Sequence, residues 1–276
     1  MIRFITDMPQ SGPMNMAIDE TLTMTLLGSA SADLGFLRFY QWSPPTMSFG
    51  YNQAIEKLID IETAVKSGFG LVRRMSGGKM VFHSCEWTFS LGLPQAILKK
   101  ENHATFLSMF VTAIEPMVNA LCAMRIPAKF ADSRQQKSNT GNSVHCFAAA
   151  AGHSVFADGK KLIGAAGVAK SEHLIIHGSI PIEICHPPDH LFHTLKKIDE
   201  GVSMTCLSSF LNSTDISLLP ERVAEKYSEF FNLAITNSLI SAEEVATARN
   251  LAQHKYADLN WKEKASELNK EQGKIS

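Results

Sequence analysis

The densest chemistry in the chain lies in the run Arg73-Arg74-Met75-Ser76-Gly77-Gly78-Lys79-Met80-Val81-Phe82-His83. Two adjacent glycines let backbone approach a ligand closely and adopt positive φ. Amide N–H groups exposed in such a turn receive a phosphate or a polarised carbonyl oxygen, and the two arginines with Lys79 favour an anionic group. The spacing is neither that of a P-loop nor that of a dinucleotide fingerprint. In a strand Arg73 and Arg74 point to opposite faces, so at most one aims straight at a given ligand. A plain hairpin turn with solvated basic neighbours satisfies the same pattern.

Two further clusters carry chemistry. In Gly159-Lys160-Lys161-Leu162-Ile163-Gly164-Ala165-Ala166-Gly167, small residues after a lysine permit a crowded channel wall. A lysine ammonium there can hold an acyl carbonyl oxygen or a phosphate. The plain alternative is a surface turn followed by a small-residue strand or helix. In His145-Cys146-Phe147 a thiol stands beside a histidine, but neighbours in a strand point apart. A nucleophilic role also needs exposure and a lowered thiol pKa. His177, beside Gly178 in a strand-like run, is a further candidate.

No metal is expected. His186, His190 and His193 have helical spacing, yet Pro187 and Pro188 break a helix through the first of them, and no cysteine or carboxylate completes a ligand set. The five cysteines, at 85, 122, 146, 185 and 206, are odd in number and widely spaced. They imply no disulfide framework or redox pair and suit a reducing cytoplasm.

The elements that must position these residues are short strands among a few helices. Pro13 opens a helix over residues 14–27, with Met14, Ala17, Ile18, Thr21, Leu22 and Met24 on one face and Asp19 and Glu20 on other sides. Strands are expected at 37–40, 46–49, 71–74, 80–82, 87–91, 153–156 and 174–180, and a helix at 54–68. A long apolar helix spans 105–124, kinked or divided by Pro116. Residues 132–143 read as a loop, 185–189 as a connector and 191–199 as a short helix. Ser241 and Glu244 form a capping box for a helix over 242–256. The pattern is α+β, with mixed or antiparallel sheets and packed helices and no regular β–α alternation. Residues 1–204 would form an acyl-binding catalytic domain, and 205–276 a small, mostly helical part of the same compact unit.

A formal net charge of -1 gives no basic excess, so neither nucleic acid nor a membrane surface is an expected partner. No N-terminal stretch reads as a secretory signal, and no run of about 18 apolar residues is counted. A cytoplasmic location is expected.

Taken in order, these segments resemble the family of lipoate–protein ligases and octanoyltransferases and, more distantly, biotin–protein ligases. Asn15 to Glu20 resembles the family's opening helix. Leu37 to Trp42 and Ser48 to Gln53 are similar to its next elements, and the 73–83 run to its acyl-binding turn. Lys161 falls in a segment like its catalytic-lysine stretch, His177-Gly178-Ser179-Ile180 follows, and 242–261 resembles its closing helical part. The length, the basic Lys79 in place of a third glycine, and Cys146 ahead of Lys161 are similar to the cysteine-dependent octanoyltransferase branch. The resemblance implies a biotin/lipoate-ligase-like catalytic fold. It implies Cys146 and Lys161 as catalytic residues and Arg73, Arg74, Gly77, Gly78, Lys79, His83, Gly164 and His177 at the substrate. The donor would be octanoyl-acyl carrier protein, with no cofactor. The acceptor would be a lysine of an apo lipoyl domain, glycine cleavage H protein above all. An ATP-dependent lipoate–protein ligase, needing ATP and Mg2+, is the alternative. A lipoyl amidotransferase or a non-enzymatic lipoyl-domain-binding protein are further ones. The run Ala165 to Lys170 departs from the glutamine-containing stretch usual in the family, and no general base stands out beyond His83 or His145.

Overall fold

The computed structural model describes residues 1–28, 34–99, 105–132, 154–193 and 203–263. Strand β1 (Ile2–Thr6) leads into helix α1 (Gly12–Leu27), where the Ser11 hydroxyl accepts the Met14 N–H and Pro13 occupies the first turn. Then come β2 (Gly35–Tyr40), β3 (Thr46–Phe49), a 3-10 turn at Ile55–Lys57, α2 (Ile61–Lys66), β4 (Gly70–Arg73), β5 (Val81–His83) and β6 (Glu86–Pro94). The middle of the chain contains α3 (Gln95–Leu98), α4 (Phe106–Ala123), β7 (Ala128–Phe130), β8 (Val155–Ala157), β9 (Lys160–Lys170) and β10 (His173–Pro181). It closes with α5 (Ser213–Ser217), α6 (Leu219–Phe231), β11 (Ile235–Asn237) and α7 (Ala242–Leu251), which runs into a π-helical turn at Ala252–Tyr256.

Among the described residues the strands form two sheets. The larger is ordered β11-β1-β2-β6-β10-β9-β8-β7, and the smaller β4-β3-β5. β1 runs parallel to β2 and β11, whereas β6, β10, β9, β8 and β7 join antiparallel. This is the mixed α+β fold that the sequence pattern implies.

Period-two alternation divides β2 between the two faces of the large sheet. Leu37 and Phe39 join the core beneath α4 and α6, with Phe89, Leu91, Phe110 and Met117. Phe36 and Tyr40 join the core under α1, with Met16, Ala17 and Leu22. Arg38 lies between them on the α1 face and is fully buried. Its Nε donates to Asp7 at 2.6 Å and its Nη1 to Asp19 at 2.6 Å, while Nη2 reaches the Asn15 side-chain oxygen at 2.9 Å. Asp19 also accepts from the Tyr40 and Ser90 hydroxyls. Burial opposes the Arg38 charge, but Asp19 and Asp7 outweigh it and raise the guanidinium pKa. Asp19 therefore faces inward, contrary to the expectation from α1's apolar spacing: a buried strand arginine recruits it. Met24, expected on the apolar face, is exposed.

Other local expectations are also corrected. Residues 54–68 form a 3-10 turn and a short helix, because Asp60 caps a fresh start through the Thr63 N–H. Pro116 neither divides nor ends α4, which continues to Ala123 with both flanks packed in the core. By length and composition α4 could cross a membrane, although the sequence count found no such run. More than half of it is buried within the protein. At 185–199, a 3-10 turn occupies Asp189–Leu191, and residues beyond 193 lie outside the described set. The 132–143 loop lies almost wholly outside it too.

The closing elements reach both faces and one edge of the sheet. α6 packs on α4, β11 pairs with β1, and α7 lies along α1. The capping box holds, with Ser241 and Glu244 each accepting the other's backbone N–H.

Removing Asp19 takes away one of the two carboxylates that hold the buried Arg38 guanidinium. Asp19→Ala is expected to lower unfolding free energy by about 3–5 kcal/mol, read as a reduced denaturant midpoint with an unchanged slope.

Candidate functional site

Strand alternation sends the two arginines at the end of β4 in opposite directions. Arg73 turns to the outer side: Nη1 donates to the carbonyls of Tyr51 at 2.9 Å and Gln53 at 2.8 Å, and Nε to that of Leu259 at 2.6 Å. The Trp261 indole N–H returns a bond to the Arg73 carbonyl. Arg73 thus secures the 50–53 loop and the closing segment and does not line the pocket. Arg74 turns inward. Its Nη1 donates to the Ser48 carbonyl at 2.7 Å and hydroxyl at 2.6 Å, and its Nη2 to the carbonyls of Lys79 at 2.9 Å and Gly77 at 3.4 Å.

The glycine turn is therefore wrapped around a cation. A planar trans peptide points its C=O and N–H in opposite directions, so drawing the Gly77 and Lys79 carbonyls toward Arg74 turns the next N–H groups away from it. Gly78 has φ of +97°, and the turn lies so close to Gly50 that a Cβ there would be 2.0 Å from the Gly78 carbonyl oxygen. A Cβ on Gly78 would stand 4.0 Å from that of Ala166, which places the turn at the rim of a pocket.

That pocket is narrow, with a cavity volume of about 30 Å³, well below the roughly 300–1,000 Å³ typical of small-molecule sites. Met16, Tyr40, Trp42 and Gly164 are its buried lining; Ala165, Ala166 and His177 line the more accessible side. The small residues of the 165–170 run fit a crowded wall. A Cβ on Gly167 would meet the Ile175 carbonyl and the Phe110 ring, each at 2.9 Å, and Ala165 and Ala166 are pocket wall.

A buried polar network forms another wall. The Glu86 carboxylate accepts from His83 Nδ1 at 2.6 Å and from the hydroxyls of Thr88 and Ser179. His83 Nε2 meets the Ser48 hydroxyl at 2.6 Å. The imidazole stacks on Trp42 with centroids 4.0 Å apart, and the Trp42 N–H donates to Thr88. His177 Nε2 is bonded to the Ser76 hydroxyl. Desolvation, with Arg74 and His83 nearby, lowers the His177 pKa to about 3, so this ring is neutral at ordinary pH.

Lys161 does not line this pocket, but its direction is set by an irregularity in β9. Val155 pairs with Ile163 and Phe156 with Lys161, leaving Leu162 as an extra residue. Such a bulge re-aims side chains. Val155 belongs to the main core and Phe156 to a separate small cluster with Ala131, so Lys161 follows Phe156 away from the main core. It is only 2% exposed. The parallel bridge to Met204 holds its backbone through the Ser203 carbonyl and Thr205 N–H. Lys79 lies at the turn, partly buried. Cys146 and His145 lie outside the described residues.

The structure thus gathers Arg74, His83, Gly164 and His177 around one pocket, with Gly77, Gly78 and Lys79 at its rim, and sets Arg73 behind it. Sequence reasoning missed Glu86, Ser48 and Ser76 as polar partners. The only available signal was a carboxylate three residues after His83 across a turn. Among the described residues, no group of three or more His, Cys, Asp or Glu side chains is placed to hold a metal ion.

Residues 11–228 match the model of the lipoyl protein ligase A/B catalytic domain. The chain belongs to this family. Its relatives include the octanoyltransferase LipM of Carboxydothermus hydrogenoformans, 30% identical over 270 residues that cover 94% of this chain and 97% of the relative. The octanoyltransferase LipM of Bacillus subtilis is 29% identical, with 94% and 96% covered. Among solved structures, a lipoate-protein ligase A bound with ATP superposes with a TM-score of 0.71 at 22% identity, covering 94% of this chain and 97% of that one. The lipoate protein ligase of a bipartite system from Thermoplasma acidophilum gives 0.71 at 21%, with 94% of each chain covered. These two likenesses establish the shared fold. The family match ends before α7, so the Leu259 and Trp261 contacts to Arg73 come from outside it.

The depressed His177 pKa has a consequence for stability. Between its unfolded value near 6.5 and its folded value of about 3, the unfolded chain binds the extra proton. Stability is therefore lost as pH falls through this window, by at most about 1.4 kcal/mol per pH unit. His177→Gln is expected to flatten the stability–pH slope between pH 6.5 and 5, measured by denaturant titration of both proteins.

Proposed function

We propose that this protein is an octanoyltransferase of protein lipoylation, moving an octanoyl group from acyl carrier protein to a lysine of a lipoyl domain, glycine cleavage H protein above all. What carries the proposal is the end-to-end match: relatives named octanoyltransferase LipM align over 90–94% of this chain and 92–97% of their own length. The apolar lining of the pocket's buried end supports it, as an alkyl chain would need.

In this scheme the Cys146 thiolate attacks the donor thioester, giving an octanoyl-enzyme thioester and free acyl carrier protein thiol. The acceptor amine then attacks the same carbonyl carbon, forming the amide and returning the cysteine. Lys161, which stands outside the lining of the pocket, takes the part of the family's catalytic lysine, orienting the acyl carbonyl and stabilising charge on its oxygen. The turn at Gly77 and Gly78, shaped by Arg74 and flanked by Lys79, lines the acyl site, with His83, Gly164 and His177 along the pocket. Arg73 serves it from behind. No cofactor takes part, and the setting is cytoplasmic.

Incubated with octanoyl-acyl carrier protein, the parent is expected to gain one octanoyl mass by intact-mass spectrometry, and Cys146→Ser is not. With apo lipoyl domain added, the variant's transfer rate falls to background. Modification of the acceptor by free lipoate with ATP and Mg2+, and not by octanoyl-acyl carrier protein, would establish a ligase instead.

A further inference from the structure

Donor and acceptor inventory fixes the direction of every proton in the Arg74–Ser48–His83–Glu86 chain. A guanidinium only donates, so the Ser48 hydroxyl oxygen accepts from Arg74 Nη1 at 2.6 Å. That leaves the Ser48 hydrogen free to lie toward His83 Nε2, 2.6 Å away. The Glu86 carboxylate, only 4% exposed, accepts from His83 Nδ1 and from the Thr88 and Ser179 hydroxyls. With the acceptor oxygens of Glu86 facing it, His83 keeps its proton on Nδ1 and its lone pair on Nε2. Stacking on Trp42 fixes the plane of the ring. Ser48 and His83 both line the pocket.

We infer that Ser48 and His83 form the proton relay for acyl transfer to the acceptor amine, with Glu86 as the positioning residue that sets the imidazole tautomer. The inference rests on the transferase reading and supplies the proton acceptor that this reading lacks. As the amine attacks the octanoyl thioester, the C–N bond forms and nitrogen must shed a proton. That proton passes to Ser48 Oγ while Ser48 passes its own to His83 Nε2. The imidazolium is stabilised by Glu86. When the C–S bond breaks, the proton returns by the same path to the departing sulfur, so the step needs no other reactant. The other titratable groups around the pocket are less suited. The Tyr40 hydroxyl is committed to Asp19. Arg74 has no lone pair to offer. His177 bonds a serine rather than a carboxylate and lies near both Arg74 and His83.

The test separates the two half-reactions in single turnover, using octanoyl-acyl carrier protein and apo lipoyl domain and following both by intact mass. Glu86→Gln removes the carboxylate charge that stabilises the imidazolium formed in transfer. It is expected to slow transfer from the octanoyl-enzyme by roughly 10²–10⁴-fold, with much less effect on loading of the enzyme. His83→Ala is expected to lose transfer similarly and to recover it with added imidazoles, the rescued rate rising with their basicity. If Glu86→Gln does not fold, as judged by thermal melting, Ser48→Ala carries the same expectation. Transfer within about threefold of the parent in folded variants would overturn the inference. So would equal slowing of both half-reactions without imidazole rescue. A parent that never acquires the octanoyl adduct defeats the transferase reading itself, and the inference falls with it; that control tells the two failures apart.

Discussion

A guanidinium in the middle of a strand, with no access to water, must find its counter-charges inside the protein, because an unpaired buried ion costs several kcal/mol. Arg38 meets this constraint by drawing Asp7 from beyond β1 and Asp19 and Asn15 from α1. Much else follows. Asp19 in turn holds Ser90 of β6 and Tyr40 of β2, so one charge cluster ties a helix to two strands. Two of the groups at the closed end of the pocket, Met16 and Tyr40, belong to the elements that this cluster joins.

Two more buried arginines organise backbone by gathering carbonyls. Arg74 holds the glycine turn from inside, and Arg73 secures the adjoining 50–53 loop from outside. The adjacent pair thereby converts a flexible Gly-Gly segment into a rim of defined shape. Glu86 does for β5, β6 and β10 what Asp19 does for α1, β2 and β6: a single carboxylate collects donors from several elements. The pocket is thus an apolar cleft whose walls are positioned by saturated polar contacts, a combination that fixes geometry better than packing alone.

Much of this was legible in the chain. Most of β2, β6 and β10 were expected as strands, and the capping box at Ser241 was read directly. The opposite faces of Arg73 and Arg74 followed from strand geometry alone. What escaped was whatever depends on distant partners. β1 and β11 gain their definition by pairing with one another across the whole chain. Asp19 looked like a solvent residue until a strand arginine claimed it. The bulge at Leu162 has no local signature, yet it decides which way Lys161 faces. Glu86 could be recognised only once β10 brought Ser179 alongside.

The closing segment gives the molecule an order in time. Arg73 is bonded to Leu259, 186 positions later in the chain, and Glu20 to Lys255 and Tyr256. A nascent chain emerges from the ribosome N-terminus first, so the arginines, the glycine turn and α1 are made well before these partners. The rear brace of the loop beside the acyl-binding rim arrives only after a further 186 positions have been added. Assembly of the site thus waits on a segment made long after the residues it holds.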